Sequence, residues 1–140
     1  MIKLYTYILP LAMIATETHA ARSAIGPAAA SVERVIDGDT VRMRVAIWID
    51  QELVVSVRLV GVDAPELFRP KCADEREKAE RAKQFVEDFL KGGDAMLHDI
   101  GRDKYGGRVV ARIETADGDL SAALVDAGLA VRSDKGVWCQ

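Results

Sequence analysis

Acidic and basic side chains gather in three short segments: Asp37-Gly38-Asp39-Thr40, Arg58 through Glu66, and Asp103-Lys104-Tyr105-Gly106-Gly107-Arg108. Together they supply carboxylates, two arginines, a lysine and a tyrosine. Carboxylates backed by a backbone carbonyl are hard oxygen ligands, the kind Ca²⁺ or Mg²⁺ takes. Arginines bind phosphate oxygens in a bidentate fork. A cation and arginines together stabilise the charge of an in-line attack on phosphorus. A free carboxylate can orient or deprotonate the attacking water. The combination favours phosphodiester hydrolysis over a plain cation site.

Such segments need rigid elements to bring them together. Val32 to Ile36 reads as a short strand, and Asp37–Thr40 as a tight turn in which Gly38 is free to take positive φ. Val41, Met43, Val45, Ile47 and Ile49 alternate with Arg42, Arg44, Ala46 and Trp48, the pattern of a long strand. Asp50-Gln51 turns the chain into a third strand, where Leu53, Val55, Val57 and Leu59 face a core and Arg58 faces away. Gly61 and Pro65 then force a corner, because the residue before a proline avoids helix. Asp63 and Glu66 fall in that stiff turn, near Arg58. The plain alternative is a surface turn with a solvated ion pair.

A helix is expected over 74–91, with Asp74 as N-cap and Glu77 completing a capping box. Ala79, Ala82, Phe85, Val86 and Phe89 form its apolar stripe, the charges opposite read as solvated, and Gly92-Gly93 ends it. Ala95 to Ile100 is a fourth strand and Arg108 to Thr115 a fifth. A short helix follows, capped by Asp119 and stopped at Gly128. The fold class is α+β, mainly β: a five-stranded OB-type barrel with a helix after strand 3 and a short helix after strand 5.

The 140 residues suit one domain, and 49% hydrophobic residues can fill a core. Net charge is −3. A protein that holds a long duplex by charge alone would be basic, so any nucleic-acid contact must be a local pocket or depend on a bound cation. Residues 1–20 read as a signal peptide: Lys3, an apolar run from Leu4 to Ala15 broken by Thr6 and Pro10, and cleavage after Ala20, where Thr18-His19-Ala20 resembles a small-residue site made imperfect by Glu17 and His19. The expected location is secreted or periplasmic; if the segment were retained, it would be a membrane tether. Residues 21–30 read as a linker and 31–140 as the folded domain. Cys72 and Cys139 fit export, where an oxidising compartment lets them pair across roughly 68 residues, worth up to ~4 kcal/mol. Two unpaired thiols are the alternative. With His19 in the signal, only His98 remains, and no Cys/His cluster suggests zinc.

These three segments, in this order, resemble the staphylococcal nuclease (thermonuclease) family from about Ser31 to Val131. The resemblance implies an OB-fold barrel and a Ca²⁺-dependent nuclease acting on DNA and/or RNA. It also implies cleavage of the P–O5′ bond to leave 3′-phosphate ends, by a monomer with no stable protein partner. By position, Asp39 and Asp63 look like the Ca²⁺ carboxylate ligands, and Ala64 like the residue that lends a backbone carbonyl. Many members have threonine there, but a carbonyl ligand does not need that side chain. Asp37 and Thr40 would support the site from behind. Glu66 matches the residue that orients or activates water, and Arg58 and Arg108 match the phosphate-binding arginines. Lys104 and Tyr105 match residues near the substrate's terminal phosphate.

The chain departs from the family in places. Its loop runs Tyr105-Gly106-Gly107-Arg108, one glycine longer than the usual Tyr-Gly-Arg, and is read as a longer loop that keeps Arg108 at the strand's start. The loop after Glu66 is short, with few basic residues, so a shallow groove is expected. The chain ends soon after Leu129, without a third helix, and its Val137-Trp138-Cys139 tail is similar to that of shorter relatives. The competing function is a catalytically weak OB-fold module that only binds nucleic acid or protein. Loss of site carboxylates would mark such a module, and here Asp39, Asp63 and Glu66 are present with Arg58.

Overall fold

The computed structural model describes residues 25–132 and 135–140. The expected signal peptide lies outside the described residues. Strands β1 (Ala28–Asp37), β2 (Thr40–Trp48) and β3 (Gln51–Leu59) form an antiparallel meander. Helix α1 (Ala73–Phe89) follows, then β4 (Asp94–Arg102), β5 (Arg108–Thr115), the two-residue β6 (Gly118–Asp119) and α2 (Leu120–Asp126). β4 pairs antiparallel with both β1 and β5. β5 returns to lie parallel to β3, which closes five long strands into the OB-type barrel.

The core is the inward face of this barrel. Val41, Met43, Val57, Leu59, Leu97, Ala111 and Ile113 are essentially inaccessible to solvent. α1 lays Ala79, Ala82 and Val86 against the core, and Phe85 stacks on Phe89 at its edge. α2 adds Leu120 and Leu124. The alternation on β2 and β3 holds near the closed end only. Towards the β2–β3 turn, Ile47, Trp48, Ile49 and Leu53 are all at least half exposed, because the hairpin runs on past the barrel wall.

Several local expectations are corrected. Residues 28–30, expected in the linker, are the start of β1 and pair with Leu97, Met96 and Ala95 of β4. The N-cap of α1 is Cys72 rather than Asp74: its sulfur accepts the N–H of Glu75 at 3.4 Å. The disulfide decides this, since it fixes Cys72 in extended geometry one residue before the helix. The helix ends at Phe89, with Leu90 as its C-cap. Gly38 is needed for space rather than positive φ. A Cβ there would lie 2.7 Å from Ala82 Cβ and 2.9 Å from Ala64 Cβ. The acidic turn can therefore nest against α1 and the Asp63-Ala64 corner. The caps of α2 are as expected: Asp119 accepts from Ala122 N at 2.8 Å, and Gly128 takes φ 70 just beyond the helix. Among the described residues no helix is long and apolar enough to cross a membrane.

Candidate active site

Strand register places the first two chemical segments side by side. Thr40, which opens β2, pairs with Arg58 near the end of β3, and Leu59 N donates to Asp39 O at 2.8 Å. The corner beyond β3 is tied down separately, by reciprocal backbone bonds between Asp63 and Val131. Arg58 then reaches two carboxylates from different elements. Its Nη1 donates to Asp39 Oδ1 at 2.6 Å and its Nη2 to Asp63 Oδ1 at 3.2 Å. Thr40 Oγ1 also donates to Asp39 Oδ1, and the Ala64 N–H to Asp39 Oδ2 at 3.0 Å. Asp39 is only 4% exposed, so these partners are what hold a carboxylate there. Burial opposes the charge on Arg58, but Asp39 and then Asp63 keep its pKa above the ordinary value.

Asp37 accepts the Asp39 N–H at 3.1 Å and shapes the turn. Burial, and next the charge of Asp39, push its carboxyl up to about 6. Glu66 is exposed beside the corner, where its Oε1 accepts the Phe68 N–H at 3.0 Å. Behind it stands Glu75 in the first turn of α1, 4% exposed, accepting from Glu66 N at 3.3 Å and from Lys71 N at 2.6 Å.

The third segment arrives through the parallel β3–β5 pairing, which sets Arg108 opposite Ser56 and Val110 opposite Arg58. Arg108 is the first residue of β5, so the additional glycine is absorbed in the loop before it. Its Nε donates to Asp103, and its guanidinium lies 5.0 Å from the centre of the Tyr105 ring. Lys104 Nζ lies 5.1 Å from the same ring.

One open cleft of about 640 Å³ collects Asp37, Asp39, Thr40, Arg58, Asp63, Ala64, Glu66 and Arg108. It is large enough for a nucleotide-sized ligand. Lys104 and Tyr105 stand outside its lining, next to Arg108. The lining also includes residues the sequence reading passed over: Arg69, Lys71, Glu75, Lys135, Gly136, Val137 and Trp138. Arg69 and Lys71 are the bases of the loop expected to have few, and both reach the cleft. Glu75 belongs to the helix face read as solvated, and its burial has no signature in local spacing. The Trp138-Cys139 tail was the one usable signal, because a Cys72–Cys139 bond must carry Trp138 to the corner.

That bond is present, with Cα atoms 6.0 Å apart, and it joins the tail to the N-cap of α1. Glu75 lies close to both sulfurs, but the trio is no metal centre because both thiols are consumed in the disulfide. The carboxylates of the cleft that could hold a cation are instead Asp39 and Asp63. Their Oδ1 atoms face one guanidinium, Asp37 lines the same cleft, and among the described residues the lining offers oxygen but no imidazole or free thiol. An all-oxygen, acid-rich set of this kind suits a hard divalent cation.

A sequence profile described as "Staphylococcal nuclease homologue" matches residues 56–137, more than half of the chain. The match takes in Arg58, Asp63, Glu66 and Arg108 and begins after Asp39. The chain is also similar to the protein named Endonuclease YhcR of Bacillus subtilis (strain 168). The two are 32% identical over 122 residues, which is 81% of this chain and 10% of that protein. The chain thus spans about a tenth of the length of the curated relative it matches.

Proposed function

The chain belongs to the staphylococcal nuclease family, and from that premise we propose that it is a Ca²⁺-dependent phosphodiesterase acting on DNA and/or RNA. The observation that carries the reading is the Arg58 fork. It holds Asp39 and Asp63 together in a cleft that also contains Glu66 and Arg108. In this reading Asp39, Asp63 and the Ala64 carbonyl hold the cation, which supplies positive charge to the phosphate oxygens. Arg58 and Arg108 bind the remaining phosphate oxygens and offset the charge that spreads over them in the transition state. Glu66 is exposed to solvent and accepts the proton of a water whose oxygen attacks phosphorus. The P–O5′ bond breaks, O5′ takes up a proton from solvent, and the phosphate stays on the 3′ side.

Among the described residues as many bases as acids line the cleft, so a net-acidic chain can still meet a polyanion locally. The Cys72–Cys139 bond supports a secreted or periplasmic location, where disulfides persist.

The test is cleavage of DNA and RNA by the purified protein, with Ca²⁺ and then with chelator. Activity should vanish on chelation and return with Ca²⁺, with 3′-phosphate ends on the products. Glu66→Gln should slow turnover by roughly 10²- to 10⁴-fold while calcium and nucleotide binding persist. Chelator-resistant cleavage, or a Glu66→Gln variant with full activity, would reject this mechanism.

A further inference from the structure

The C-terminal residues 136–139 return to the cleft through contacts that converge on one oxygen. The Gly136 N–H donates to Asp63 Oδ2 at 2.8 Å, and the Trp138 indole Nε1–H donates to the same atom at 3.3 Å. Asp63 Oδ1 stays turned to Arg58. Two ties to α1 hold the strap in this pose. Lys78 Nζ donates to Trp138 O at 3.1 Å, and Cys139 is bonded to Cys72. Gly136 is sterically required as well. A Cβ there would lie 2.5 Å from the Cε2 and Cζ2 atoms of the Trp138 ring. Glycine stands where the indole must fold back over the chain.

We propose that Trp138 and Gly136 are positioning residues for Asp63. Their two N–H groups fix the plane of the carboxylate, so that Oδ1 is presented to the divalent cation. The proposal rests on the reading of Asp63 as a calcium ligand given above. Hydrogen-bond donors to a metal-binding carboxylate orient it, and losing them typically weakens metal binding or activity about 10- to 100-fold. Donors that carry no charge do this without repelling the cation. The disulfide thereby becomes an anchor of the cation site as well as a constraint on the unfolded chain. A loose tail merely resting on the surface would need neither the glycine nor the shared acceptor.

Calorimetric titration of the oxidised protein with Ca²⁺, in the absence of nucleic acid, tests this. Trp138→Phe keeps the ring and removes the N–H. It should weaken calcium binding about tenfold, while thermal unfolding without calcium shifts by less than about 5 °C. Gly136→Ala displaces the indole and should weaken binding at least as much. Of the two tryptophans, Trp48 lies on the exposed hairpin. In a Trp48→Phe protein the emission of Trp138 alone should therefore change as calcium binds, which reads the pose without altering it. If both strap variants bind calcium as the parent does, or more tightly, the inference is overturned while the calcium reading stands. If the parent binds no calcium, the calcium reading itself fails and this inference falls with it. Should Trp138→Phe not fold, Gly136→Ala and the Trp138 emission decide the matter.

Discussion

Arg58 and Arg108, two of the arginines that line the cleft, have equally exposed side chains, 24% each, yet they are held in opposite ways. Arg58 is fixed by carboxylates from two other parts of the chain, Asp39 in the β1–β2 turn and Asp63 beyond β3. Arg108 is fixed by its own loop, through Asp103 and the Tyr105 ring. One guanidinium is therefore part of how the barrel end is assembled. The other is carried on a glycine-rich loop, and its partner Asp103 lies in that same loop. Equal exposure conceals this difference. It becomes visible only when each partner is traced to its element, and it predicts different costs for the same truncation.

Arg58→Ala should have the largest effect, on two quantities at once. Removing a cation that meets the phosphate should lower kcat by roughly 10³-fold or more. Asp39 would also lose its shortest donor while buried, a loss of about 2 kcal/mol in stability. Cleavage of plasmid DNA and urea unfolding on the same preparation measure both. A variant that loses activity with unchanged unfolding would show that Arg58 serves substrate alone, and the contrast with Arg108 would disappear.

Arg108→Ala should rank second. Most activity should go, roughly 10²-fold in kcat/KM, because the second phosphate-binding cation is absent. Stability should fall by about 1 kcal/mol, less than for Arg58→Ala, because the Asp103 side chain is only 6% exposed but lies in the same loop as Arg108, where it can turn to water. Steady-state kinetics with a short oligonucleotide, beside a thermal melt, make the comparison. A destabilisation as large as that of Arg58→Ala would mean that the 103–108 loop is as much a part of the barrel as the acidic turn.

The sequence was most legible where chemistry and local geometry coincide. The Asp37–Thr40 turn, the Arg58–Glu66 corner and the start of β5 at Arg108 are all marked by alternation, glycine or proline beside charge. It was less legible where a distant part of the chain decides. Ala28–Ala30 carry no strand signal, and only pairing with β4 makes them β1. Cys72 is not a usual N-cap, and the disulfide gives it that role. Gly38 looked like a turn glycine, but what it avoids is Ala82 on α1. Glu75 sat among helix charges that read as solvated, although it is buried and holds the backbone of the Glu66 loop. Trp138 reaches an acid 75 positions away, and no local pattern encodes that bond.

Arg112 supplies the control, and its expected effect is the smallest. Alternation along β5 puts it on the same strand face as Arg108, so sequence pattern alone leaves both as candidates for the second phosphate-binding arginine. The step of four residues from one to the other spans about 13 Å at strand rise. Arg112 has its own neighbours far along β5: Asp99 Oδ2 at 3.4 Å, Glu114 Oε2 at 3.4 Å and Asp119 Oδ2 at 3.7 Å. It does not line the cleft. The pairs with Asp99 and Glu114 are largely open to water, where such contacts contribute about 0.2 to 1 kcal/mol, whereas Asp119 Oδ2 is buried. The one with Asp119 touches the cap of α2, so any loss should appear as slight fraying of that helix rather than in catalysis. Arg112→Ala should therefore keep activity within about twofold and lower stability by no more than about 1 kcal/mol. If Arg112→Ala were instead the inactive variant and Arg108→Ala the active one, the additional glycine of the loop would have been assigned to the wrong side of the arginine. Arg108 would then be a loop brace for Asp103, and the phosphate would have to be met from farther along β5.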